Sequence, residues 1–73
     1  MTITELFAQL GPGIAVQYLA EEGPREWHCE LRVPIERYTV SLVMAEGTNP
    51  DDALMRTVTR ALEMFRRESE RAA

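Results

Sequence analysis

Ile3, Leu6, Phe7 and Leu10 recur at spacings of three and four, which places them on one face of a short helix, and Gly11-Pro12-Gly13 then stops the pattern. Thr2 or Thr4 is positioned to cap it. From Ile14 to Ala20 the residues favour β structure and alternate broadly. Ile14, Val16 and Tyr18 are expected on one face of this first strand, and Ala15, Gln17 and Leu19 on the other. Glu21-Glu22-Gly23-Pro24 reads as a polar turn.

Glu26 to Val33 alternates without a fault, with Trp27, Cys29, Leu31 and Val33 on one side and Glu26, His28, Glu30 and Arg32 on the other. Pro34 to Arg37 reads as a hairpin loop, because proline has no N–H to give to a ladder. Tyr38, Val40, Leu42 and Met44 are then expected on the core face of a third strand, Tyr38 to Ala45. Asn49-Pro50-Asp51-Asp52 is a helix start: Asn as cap, Pro in the first turn, Asp near the positive end of the dipole. Leu54, Val58, Ala61, Leu62 and Phe65 form the apolar stripe of the last helix, and Arg56, Arg60, Glu63 and Arg67 are left to water. The expected fold class is α+β, in the order α-β-β-β-α, with a three-stranded antiparallel meander and two helices packed on one face.

Seventy-three residues support one domain, 1–73, with 68–73 expected to fray. No apolar run reaches the roughly 18 residues of a membrane span, and the N-terminus lacks the features of a signal peptide, so a cytoplasmic location is expected. One cysteine and one histidine exclude an internal disulfide and cannot complete a zinc site, so neither a metal nor another cofactor is expected. All eight basic residues are Arg, which fits either carboxylate and phosphate pairing or the codon usage of a GC-rich genome. Net charge is −4 but unevenly spread. Residues 1–52 hold nine acids and three Arg, while 53–73 hold three acids and five Arg.

With Ile3 to Leu10 as first helix, Tyr18 in the first strand, Glu22-Gly23-Pro24 in the hairpin, and Ala53, Ala61 and Leu62 in the last helix, the chain resembles the double-stranded-RNA-binding domain family along nearly its whole length. The resemblance breaks where that family grips RNA. Pro50, Asp51 and Leu54 stand at the positions of the lysines that open the family's last helix, and Glu26 stands where a groove-reading histidine is usual. Duplex RNA is recognised by shape and by phosphate and 2′-hydroxyl contacts, so acidic residues there predict no duplex-RNA binding by the family's mode.

His28 and Cys29 do not form a catalytic dyad, because neighbouring strand residues point to opposite faces; the chain is expected not to be an enzyme. Trp27 is expected in the core, with service as a binding anchor the alternative. Glu21, Glu22, Glu26, Asp51 and Asp52, with Glu5, are expected along one acidic edge that docks on a partner protein with a basic surface. The leading functional expectation is an acidic inhibitor or adaptor of a basic nucleic-acid-binding partner. In size and charge it is similar to small phage-encoded counter-defence proteins such as anti-CRISPR proteins. Alternatives are a nucleic-acid-associated regulator using Arg56, Arg60 and Arg67, and a structural dimerisation module. A homodimer is expected through the edge of the third strand, with Tyr38, Thr39, Ser41 and Val43 at the contact.

Overall fold

The computed structural model describes residues 2–11, 13–36 and 39–72. Its elements are α1 (Ile3–Leu10), β1 (Ala15–Gly23), β2 (Glu26–Glu36), β3 (Thr39–Gly47) and α2 (Pro50–Ala72). The three strands form one open antiparallel sheet in the order β1-β2-β3. This is the expected α-β-β-β-α arrangement.

Thr2 caps α1: its hydroxyl oxygen accepts from the Glu5 amide at 3.2 Å, and its carbonyl accepts from the Leu6 amide at 3.1 Å. Gly11, at φ +86°, ends the helix in a backbone conformation that costs other residues more. Asn49 caps α2 in the same way, its Oδ1 accepting from the Asp52 amide at 2.8 Å. Asp52 reaches back in turn, its Oδ2 accepting from the Thr48 amide at 3.0 Å, a reciprocal cap displaced by one residue from the usual box. The turn is tight enough to require Gly47, since a Cβ there would run into the backbone nitrogen and Cα of Ala53.

Leu10, Leu31, Val33, Val43, Val58 and Ala61 make the core, with Leu6, Phe7, Ile14, Leu54, Leu62, Met64 and Phe65 packed around it. α2 lies on β2 and β3, and α1 packs along α2 so that its apolar side chains join the same cluster. α2 approaches the sheet through small residues: Ala53, Thr57, Val58 and Ala61 are fully buried opposite Cys29, Leu31, Val43 and Ala45. Thr57, a buried polar residue, donates its hydroxyl to the Ala53 carbonyl at 2.7 Å and so carries no unpaired group.

The facing of β3 is the reverse of the one expected from sequence. Val43 is paired with Leu31, Ala45 with Cys29 and Ser41 with Val33, so these follow β2's apolar side into the core. Val40, Leu42 and Met44 pair with Pro34, Arg32 and Glu30 and point the other way, 46%, 41% and 42% exposed. Val40, Leu42 and Met44 are the larger and more apolar set, yet Ser41, Val43 and Ala45 face inward, because their smaller side chains let α2 come close. Tyr38 lies outside the described residues. β1 departs similarly. A bulge between Val16 and Tyr18 sets Val16 opposite Leu31 but Tyr18 opposite Glu30, so the two fall on different faces.

β2 continues through Pro34 to Glu36, where a loop was expected, and pairs with β3 across a second irregularity between Pro34 and Glu36. The proline is tolerated because β1 extends only as far as Ala15, opposite Arg32. On that side no ladder needs the missing N–H.

Candidate protein-binding surface

The hairpin between β1 and β2 turns at Pro24 and Arg25, the latter at φ +58°. This carries Glu21, Glu22 and Glu26 to one end of the sheet, all exposed. Glu21 pairs with Trp27, and Trp27 with Gly47, so the start of α2 follows directly at that same end. Asp51 is exposed there. Glu46, one residue before Gly47 and opposite His28, adds a carboxylate to the cluster that the sequence pattern had not singled out. Arg25 lies in the hairpin and Arg56 on the first turns of α2 at this end, and Arg60 lines a groove with Glu46.

Asp52 differs from its neighbours. Besides the Thr48 amide, its carboxylate accepts from Arg56 Nε at 3.1 Å and from the Thr48 hydroxyl at 3.5 Å. These bonds, the Thr48 amide first, hold its pKa below the usual carboxylate value. Asp52 is therefore occupied in building the turn, while Glu21, Glu22, Glu26 and Asp51 are presented outward. Glu5 is exposed on α1, whose apolar side chains join the cluster around Leu31 and Val33.

A second surface lies on the sheet face turned away from the helices. Down its middle β2 presents His28, Glu30 and Arg32, with Tyr18 and Ala20 of β1 on one flank and Met44, Leu42 and Val40 of β3 on the other. The Tyr18 and His28 rings stand 5.8 Å apart between centroids. His28 Nε2 lies 3.4 Å from Glu30 Oε1, and Nδ1 lies 4.0 Å from Glu46 Oε1. Tyr18, Val40, Leu42 and Met44 make this face apolar at its flanks and charged along its centre. The alternation of β3 points Val40, Leu42 and Met44 to the core, and the register with β2 instead places them on this surface.

Of the residues expected at a β3 edge contact, Val43 is buried in the core at 8% exposure and Ser41 is half-buried. Neither is outward-facing, because the register with β2 turns both toward α2. Thr39 pairs with Glu36 at the start of β3. The edge itself is partly covered, since Arg60 Nη1 donates to the Met44 carbonyl at 2.8 Å. Arg56 and Arg60 are thus both held by partners within the chain, and both line a shallow groove between β3 and α2 with Glu46 and Glu63.

Cys29 is fully buried in the core, and burial pushes its thiol pKa up, disfavouring the thiolate that a nucleophile needs. His28 lies on the opposite face. No group of three or more metal-ligating side chains occurs among the described residues, and no helix is long and apolar enough to cross a membrane. Comparison of the chain with protein-family models, with curated proteins and with solved structures finds no match.

Proposed function

We propose that the protein is a non-enzymatic binding module that docks the acidic end of its sheet on a basic protein surface, as an inhibitor or adaptor of a nucleic-acid-binding partner. The observation that carries this is the convergence of Glu21, Glu22, Glu26 and Asp51 at one end, all exposed, with Arg25 and the already paired Arg56 as nearby cations. The resemblance of the element order to the double-stranded-RNA-binding fold gives this end its meaning. Where such a domain presents cations to phosphate, this chain presents carboxylates, so it offers a basic surface some of the charge that RNA would offer. In size and charge the chain is similar to small phage-encoded counter-defence proteins, which suits that role.

An arginine-rich peptide and a short RNA duplex are the probes. Isothermal titration at low salt should show peptide binding that weakens as salt rises, and no binding of the duplex. Glu21, Glu22, Glu26 and Asp51 changed together to Gln or Asn should weaken the peptide at least about tenfold. Arg66→Ala and Arg71→Ala should not weaken it. Asp52 is left intact so that the cap of α2 survives. Duplex binding, or equal losses from both sets of changes, would refute the assignment.

A further inference from the structure

From the open face of the sheet we infer that two copies of this chain pack face to face through β1, β2 and β3. The surface involved is distinct from the acidic end, and the inference stands or falls independently of the proposed partner. Three observations lead to it.

The first is shape. The radius of gyration is 12.6 Å and the smallest extent 19 Å, where a compact chain of this length has a radius of about 11 Å. The long α2 contributes to the difference, and so does the architecture: the helices lie on one side of the sheet and, among the described residues, no element covers the other. A sheet spacing of about 4.8 Å and a rise of about 3.4 Å per residue give this face roughly 400 Å² in flat projection. Side-chain relief increases that, so two copies together approach the roughly 1,200 Å² at which specific interfaces begin.

The second is composition. Tyr18, Val40, Leu42 and Met44 are each more than 40% exposed on this face. Val40, Leu42 and Met44 form one apolar row along β3, with Tyr18 across the charged β2 row from them, and a contiguous exposed apolar row marks an interface.

The third identifies the occupant as a second copy, because the face is complementary to itself. Along β2, Glu30 and Arg32 point the same way two residues apart; Glu30 is flanked by Tyr18 and Met44, and Arg32 by Ala15 and Leu42. A two-fold axis crossing the strands midway between Glu30 and Arg32 runs the two β2 strands antiparallel. It sets Glu30 over Arg32 of the other copy, Met44 over Leu42, and the large Tyr18 over the small Ala15, each pairing occurring twice. Glu30 Oε1 already faces His28, which leaves its other oxygen for the arginine. Sheet twist opens such a packing toward its ends, where Glu46 and Val40 lie. A partner carrying one sign of charge would meet either Glu30 or Arg32 unfavourably; the second copy meets both favourably. The arrangement places the two acidic ends at opposite poles of the dimer, making it bivalent toward a repeated basic surface.

Sedimentation equilibrium across the micromolar range should give about twice the 8.3 kDa chain mass. Leu42→Glu should raise the dissociation constant at least about tenfold. Glu30→Arg sets arginine against arginine in its own dimer, and Arg32→Glu sets glutamate against glutamate, so each variant alone should be monomeric. An equimolar mixture of the two should restore the dimer, because each then meets the opposite charge. Circular dichroism of each variant verifies that it is folded. A wild-type monomer throughout the range, a dimer indifferent to Leu42→Glu, or folded charge variants that fail to pair when mixed would each overturn the inference.

Discussion

Arg60 of α2 reaches around the margin of the sheet and donates from Nη1 to the Met44 carbonyl on β3, 2.8 Å away. β3 is an edge strand with no charged residue between Thr39 and Ala45, and this contact supplies part of the protection that the strand's own residues lack. Arg60→Ala removes a hydrogen bond with a charged donor at an exposed position and should cost about 0.5–1.5 kcal/mol, read as a shift in urea midpoint. Arg67→Ala, on the exposed side of the same helix, should stay within about 0.5 kcal/mol of wild type. Equal losses at the two sites would mean that the β3 contact contributes nothing.

The facing of β3 is tested by placing the same charge on either side of it. Val43→Lys buries an ammonium against Leu31 and α2, and should cost about 4 kcal/mol or more, enough to unfold a domain of this size. Leu42→Lys places the charge on the open face and should cost about 1 kcal/mol or less when measured at concentrations too dilute for association. The expected readout is loss of the far-ultraviolet dichroism of the folded state in the first variant and its retention in the second. The reverse result would restore Leu42 to the core.

The element order was legible in the sequence because the signals were local. Thr2 and Asn49 cap where a cap was expected, and β2 alternates without ambiguity from Trp27 to Val33. The faces of β1 and β3 were not legible, because they depend on cross-strand register. Gln17 lies in a bulge that no hydrophobicity pattern announces, and in β3 Val40, Leu42 and Met44 looked more like core than Ser41, Val43 and Ala45. What decided between them was the closeness of α2, set by Ala53, Thr57 and Ala61 together. Glu21, Glu22, Glu26 and Asp51 fall at one end because the β1–β2 hairpin and the start of α2, both marked by local signals, lie there. The role of Asp52 within the turn emerged only from its geometry.

Cys29 should be a reporter of unfolding. It is fully buried beneath α2, and burial raises its thiol pKa. A disulfide reagent should therefore react with it only through opening of the domain, far more slowly than with a free thiol and at a rate that rises steeply with urea. Because the folded pKa lies above the unfolded one, stability from the neutral thiol is fully present below the unfolded value of about 8.5 and is lost as pH rises beyond it. Cys29→Ala should abolish that alkaline component and leave a small cavity. Rapid labelling in native buffer would place the thiol at the surface.

Asp52 should make the fold weaker in acid. Its carboxylate accepts from the Thr48 amide and from Arg56 Nε, and these bonds lower its pKa in the folded state. In the unfolded chain it titrates near the ordinary aspartate value of about 3.9. The group thus binds its proton more readily unfolded than folded, so its contribution is complete above the unfolded pKa and disappears as pH falls through the folded one. Asp52→Asn keeps the shape and removes the charge. The urea midpoint of the variant should fall below wild type at neutral pH, and the gap should narrow steadily as pH drops below about 4. Asn49→Ala removes the other half of the cap, and its cost of about 1 kcal/mol should persist across the same range, because an amide does not titrate. If the Asp52→Asn gap stays constant down to the lowest pH at which the wild type remains folded, the charge of Asp52 does not hold the turn, and the hydrogen bonds alone account for the cap.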